Sequence, residues 1–145
     1  MEPKTKSSKA PAASSPKPRL PADPATRYAK QVATRKITAG PHVRAACKRH
    51  LEDIQHGATR GLHWDTKAVA HAIAFFEEIL CLNGGEYEGL PFRLLGWQKF
   101  VIGSLYGWKA EDGTRRFRVA YVETGKGSGK SPLAAGIGMY GMVAD

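Results

Sequence analysis

The stretch Gly125-Lys126-Gly127-Ser128-Gly129-Lys130-Ser131 combines glycines, lysines and hydroxyls in a spacing suited to holding a polyphosphate. Glycines let consecutive backbone N–H groups turn inward around phosphate oxygens, and a helix starting directly after them presents its positive end to the same anion. In such a P-loop Lys130 contacts the β- and γ-phosphates and the Ser131 hydroxyl holds Mg²⁺. The expected ligand is a nucleoside triphosphate with Mg²⁺, cradled by Gly125, Lys126, Gly127, Ser128, Gly129, Lys130 and Ser131.

The strict pattern asks for glycine at position 124, where this chain has Thr124. Gly125 one place later, the apolar run before it and the helix after it still favour a P-loop over the competing reading, an exposed Gly/Lys/Ser turn. The G-x-G-x-G spacing also departs from the dinucleotide fingerprint G-x-G-x-x-G. Pro132 is compatible with the first turn of the helix, because the N–H it lacks would have had no intrahelical partner.

The elements that must position this loop can be read from periodicity. Phe117 to Thr124 is rich in β-branched and aromatic residues and reads as a strand buried in a parallel sheet. Leu133 to Val143 has no polar face and is expected as a helix buried all round. Upstream, 25–36 is weakly helical, and three stronger helices follow. In the first, 42–56, Val43, Cys47, Leu51 and Ile54 share one face, Lys48, Arg49, Glu52 and Asp53 lie outside, and Gly57 closes it. The second, 65–82, has Asp65 as N-cap, a stripe of Val69, Ile73, Phe76 and Leu80, and a stop at Asn83-Gly84-Gly85. The third runs from about Leu94 to Trp108, with Leu94, Trp97, Val101 and Leu105 on one face and the polar Gln98 near its start. Ala110 to Thr114 is a turn signal. The expected fold class is α/β, an incomplete P-loop NTPase of one strand–loop–helix unit preceded by a helical N-terminal region. Its organisation is a basic Pro/Ser/Ala-rich tail over 1–26, expected to be disordered, a helical lead-in over 27–90 and the start of an ATPase domain over 91–145.

Six of the nine prolines fall in residues 1–26, where large apolar side chains are too few to offset the ordering of the chain. The net charge of +9 favours a polyanionic partner such as nucleic acid. Part of that charge, Lys4, Lys6, Lys9, Lys17 and Arg19, sits in the tail, so a merely basic tail explains it equally well. Two distant cysteines, Cys47 and Cys81, fit a reducing compartment and core packing. No apolar run has membrane-spanning length and no leader opens the chain, so a cytoplasmic location without membrane contact is expected. Cys47 and His50 are three apart on a helix, with His63 and His71 following, but they form no closed zinc spacing and His50 reads as bordering the apolar stripe. Glu77 and Glu78 are adjacent on a helix and diverge, which argues against a carboxylate dyad.

Over about 27–145, the segments Val43–Leu51, Ala72–Glu77, Pro91–Ile102 and Phe117–Ser131 together resemble the large terminase subunit of tailed bacteriophages, in residues and in order. The resemblance implies an ATP-driven motor that packages double-stranded phage DNA into procapsids, followed by a metal-dependent endonuclease domain, with a small terminase subunit and a portal as partners in the host cytoplasm. It implies that Gln98, of the Trp97-Gln98 pair, reads adenine, its amide donating and accepting at once; taken alone, Gln98 reads as an exposed helix position. It further implies that Lys126 approaches the γ-phosphate, where many relatives carry arginine, and a lysine lacks the planar fork for bidentate contact. A solvated loop lysine is the alternative.

An acidic Mg²⁺ and water ligand of the Walker B kind is expected from a later strand. After Ser131 only Asp145 is acidic, at the far end of a helix about 20 Å away. The chain is therefore expected to be the N-terminal part of a terminase, lacking hydrolytic and nuclease residues. Two other classes stay open: a small nucleic-acid-binding protein using its tail and Arg115-Arg116-Phe117-Arg118 with a vestigial loop, and another P-loop motor such as a helicase relative.

Overall fold

The computed structural model describes residues 21–145; residues 1–20, which hold most of the expected tail, lie outside the described residues. Helix α1 spans Pro24–Ala33, so the last residues assigned to the tail are already helical. Asp23 caps it, accepting from Thr26 N–H at 3.0 Å, and Pro24 suits the first helical position. Helix α2 is Pro41–His56, the two-residue strand β1 is His63–Trp64, α3 is Thr66–Ala74, α4 is Gly96–Gly107, β2 is Trp108–Lys109 and α5 is Lys130–Val143.

Helix α4 forms the centre, with α1 and α3 packed on it and α2 against α1. Close approach depends on two glycines of α4. A Cβ at Gly103 would stand 2.6 Å from Ala25 Cβ, and one at Gly107 would stand 2.9 Å from Trp64 Cζ3. Asp65 caps α3 through the N–H groups of Lys67 and Ala68, as its place before the apolar stripe predicts. The helix does not run on to residue 82. Its continuation widens into a π turn over Phe75–Ile79 and stops at Leu80, after which Gly84 and Gly85 both take positive φ.

The polar centre of this bundle is His50, 3% exposed. Its Nδ1 accepts from Trp108 Nε1–H at 3.1 Å, and its Nε2 lies 3.0 Å from Thr26 Oγ1. The Thr26 hydroxyl donates to Asp23 Oδ2 at 2.6 Å, so the threonine oxygen receives the His50 Nε2–H. Trp64 Nε1–H ends on the same Asp23 oxygen at 3.0 Å. Sequence periodicity puts Asp53 on the solvent face, and the structure corrects this. Asp53 is 4% exposed because two arginines reach it, Arg60 through one carboxylate oxygen and Arg116 through the other at 2.6 Å. Val43, expected in the stripe of α2, is instead exposed.

The sheet is small. β1 and β2 pair antiparallel, His63 with Lys109 and Trp64 with Trp108. The expected strand at 117–124 is not formed: the segment has no ladder partner, and Val119 and Tyr121 are 85% and 87% exposed. A β-strand requires a neighbour for its N–H and C=O groups, and none lies beside this one among the described residues. Helix α5 buries one stripe, Leu133, Gly136 and Tyr140, and leaves Met139, Met142 and Val143 exposed, where burial on all sides was expected. The described chain thus mixes helices with a small sheet.

Candidate functional site

The loop before α5 has the conformation that its glycines permit. Gly127 and Gly129 lie at φ +81° and +78°, a region costly for residues with a Cβ, and Gly129 is the N-cap of α5. Residues 126–132 line an open concavity at the helix N-terminus. The first N–H groups of α5 have no intrahelical acceptors and give that end a partial positive charge. Lys130 and Ser131 occupy its first turn, and Lys126 is exposed on the rim.

Internal bonds hold the loop together. Ser128 Oγ donates to the Gly125 carbonyl at 2.8 Å, and the Thr124 hydroxyl donates to Ser128 Oγ. Lys130 Nζ donates to the Thr124 carbonyl at 2.5 Å. The ammonium therefore lies folded back onto the loop's own backbone. Thr124, at the position where the strict pattern has glycine, supplies both a carbonyl and a hydroxyl to this closure.

Gln98 is the residue that folding brings to the loop. It is 3% exposed, and its Nε2 stands 3.4 Å from the point where a Cβ on Gly129 would lie. Its Oε1 accepts from Leu95 N–H at 2.8 Å, satisfying a free donor at the start of α4. The exposed helix position that its sequence context allowed is excluded by this burial.

Helix α5 is seated by contacts that put its N-terminus opposite α4. Tyr106 Oη donates to the Ile137 carbonyl at 3.2 Å, and Tyr140 Oη meets His71 Nδ1 at 2.8 Å. A Cβ on Gly136 would collide with the Phe76 ring, so the glycine is what lets α5 lie on the π turn after α3. The loop, Gln98 and α4 thus form one contiguous surface spanning residues far apart in sequence.

Residues 96–144 match the family model described as terminase large subunit, ATPase domain. The terminase match begins at the first residue of α4 and takes in Gln98, the glycine loop and α5. The resemblance to terminase large subunits is borne out over that span. No curated protein and no solved structure matches the chain.

Two features near the terminase-like segment have no counterpart in the sequence reading. Glu77 accepts from Leu94 N–H and from Lys99 Nζ, both at 3.0 Å, and so holds the approach to α4. Arg116 stacks on Trp108 and Phe117 at 5.4 and 4.8 Å while paired to Asp53. Polar partners so distant in sequence leave no periodic signal. Cys47 is buried, and burial pushes its thiol up to about 11, which makes it a packing residue. No described helix is long and apolar enough to cross a membrane.

Proposed function

We propose that this chain carries the nucleotide-binding front of a phage terminase motor, in which the P-loop 125–131 binds ATP with Mg²⁺ and Gln98 reads the adenine. The observation that carries the reading is the meeting of the buried Gln98 amide with Gly129 at the N-cap of α5, inside the span that matches the terminase ATPase domain. A P-loop NTPase fold, built on a strand at 117–124 once it has neighbours to pair with, accompanies this reading.

The residues present fit the ligand. Left-handed glycines and the free N–H groups of α5 offer donors to phosphate oxygens. Lys130 would exchange the Thr124 carbonyl for the β/γ oxygens, a neutral acceptor for a charged one, which would strengthen the bond. Ser131 presents its hydroxyl on the first turn, where it would hold Mg²⁺, and the metal would supply charge neutralisation to the phosphates. Lys126, exposed on the rim, would approach the γ-phosphate as a point charge. Double-stranded phage DNA, a small terminase subunit and a portal are the partners of such a motor, working in the host cytoplasm.

Titration of the chain with fluorescent ATP tests the proposal. Lys130→Ala should weaken binding by about 1.5–3 kcal/mol, the worth of a charge-assisted hydrogen bond. Equal binding by the wild type and the variant would overturn the P-loop reading.

A further inference from the structure

One carboxylate holds the approach to α4. Glu77 lies in the widened π turn, Phe75–Ile79, a departure from regular helix that frequently accompanies functional sites. Its neighbour Phe76 lies against Gly136 of α5. Glu77 Oε1 accepts from Leu94 N–H and from Lys99 Nζ, each at 3.0 Å. Both partners of the ion pair are shielded, the Glu77 side chain 18% and Lys99 25% exposed, so the pair is screened less than a surface one.

The next N–H along the chain, that of Leu95, donates to Gln98 Oε1 at 2.8 Å. Two consecutive backbone donors ahead of α4 are therefore held in succession, the first by Glu77 and the second by Gln98. The same carboxylate clamps Lys99, the immediate neighbour of Gln98. With one lone pair of its oxygen committed to Leu95, the Gln98 amide keeps a second lone pair and its N–H groups for a ligand, and its Nε2 stands beside Gly129.

We propose that Glu77 is a positioning residue for nucleotide recognition, fixing the first turn of α4 so that the Gln98 amide stands in register with the phosphate loop. The inference rests on the reading that the loop binds ATP and that Gln98 selects the base. A π turn that touches the α5 helix through Phe76 and the α4 entry through Glu77 ties the two halves of the nucleotide site together. Loss of the carboxylate frees Leu94 and Leu95 to move, and Gln98 moves with them.

Calorimetric titration of the full chain with ATP, GTP and inorganic tripolyphosphate separates base reading from phosphate binding. Glu77→Ala should reduce the ATP-over-GTP preference about threefold to tenfold, the range of one lost hydrogen bond, toward the ratio shown by Gln98→Ala, while tripolyphosphate affinity stays at the wild-type value. Glu77→Gln keeps an acceptor for Leu94 N–H and should recover most of the preference. Retention of the wild-type ratio by Glu77→Ala, with Gln98→Ala losing it, would overturn the positioning role alone. Equal loss of ATP, GTP and tripolyphosphate in Glu77→Ala would also overturn it, since that marks general loosening of the fold. Absence of any ATP preference in the wild type would instead refute the reading of Gln98 beneath it.

Discussion

At the scale of single residues, His50 sets the behaviour of the core in acid. Burial holds its imidazole down to about 4, with the nearby Asp23 and Asp53 pulling the other way and Arg116 and Arg49 reinforcing the drop. The Trp108 N–H aimed at Nδ1 also leaves no room for a second ring proton. An unfolded histidine protonates near pH 6.5, so between about 6.5 and 4 the unfolded chain binds more protons and stability falls as pH falls. The full loss is about 3 kcal/mol. For Asp53, burial favours the neutral acid, but hydrogen bonds and charge from Arg116 and Arg60 outweigh it and hold the carboxyl below its ordinary value. Its contribution is present above the ordinary carboxylate range and is lost below about pH 4, so it extends the acid loss. Urea unfolding at a series of pH values from about 7 to 4 checks this: the midpoint should drop steadily, and His50→Gln should flatten the drop above about pH 4.5. An unchanged slope in that variant would show that another group is responsible.

At the scale of elements, two glycines of α5 differ in what they do. Gly136 faces Phe76 and Leu80, and an added methyl group has no space there. Gly138 faces nothing within 4 Å. Gly136→Ala should therefore destabilise the docking of α5 by about 1–3 kcal/mol, as overpacking does. Gly138→Ala should stabilise the helix by about 0.5–1 kcal/mol, because glycine carries the larger conformational entropy cost. Melting curves of the two variants give opposite shifts if α5 sits on the π turn as described; shifts of the same sign would contradict that packing. The stripe of small residues in α5 is legible in the sequence as an invitation to close approach, but which glycine meets a neighbour is settled by the position of Phe76, which lies sixty residues earlier by number.

At the scale of the whole molecule, protection should divide the chain unevenly. Helices α1 to α4 share one core, whereas 118–124 runs without backbone partners beside exposed Val119 and Tyr121. Hydrogen exchange should show protected amides in α1 to α4 and fast exchange in 118–124, by several orders of magnitude. Slow exchange there in a monomer would mean that the strand finds a partner. The glycine loop, Lys130 and Ser131, the cap at Asp65, the turn at 110–114 and the three central helices were legible because they depend on local spacing, backbone freedom and capping chemistry. The strand was not, because a β-branched run states a preference and only a neighbouring strand fulfils it. The burial of Asp53, the seating of His50 among two tryptophans and a threonine, and the clamp of Glu77 on Leu94 and Lys99 were decided by tertiary structure alone. Each joins polar groups many residues apart, and a buried charge or imidazole is tolerated only where folding supplies its partners. The sequence by itself determined that a glycine-rich loop opens a helix and that Gln98 stands near the start of another; the packing of α5 against α4 and the π turn decided that these two face each other.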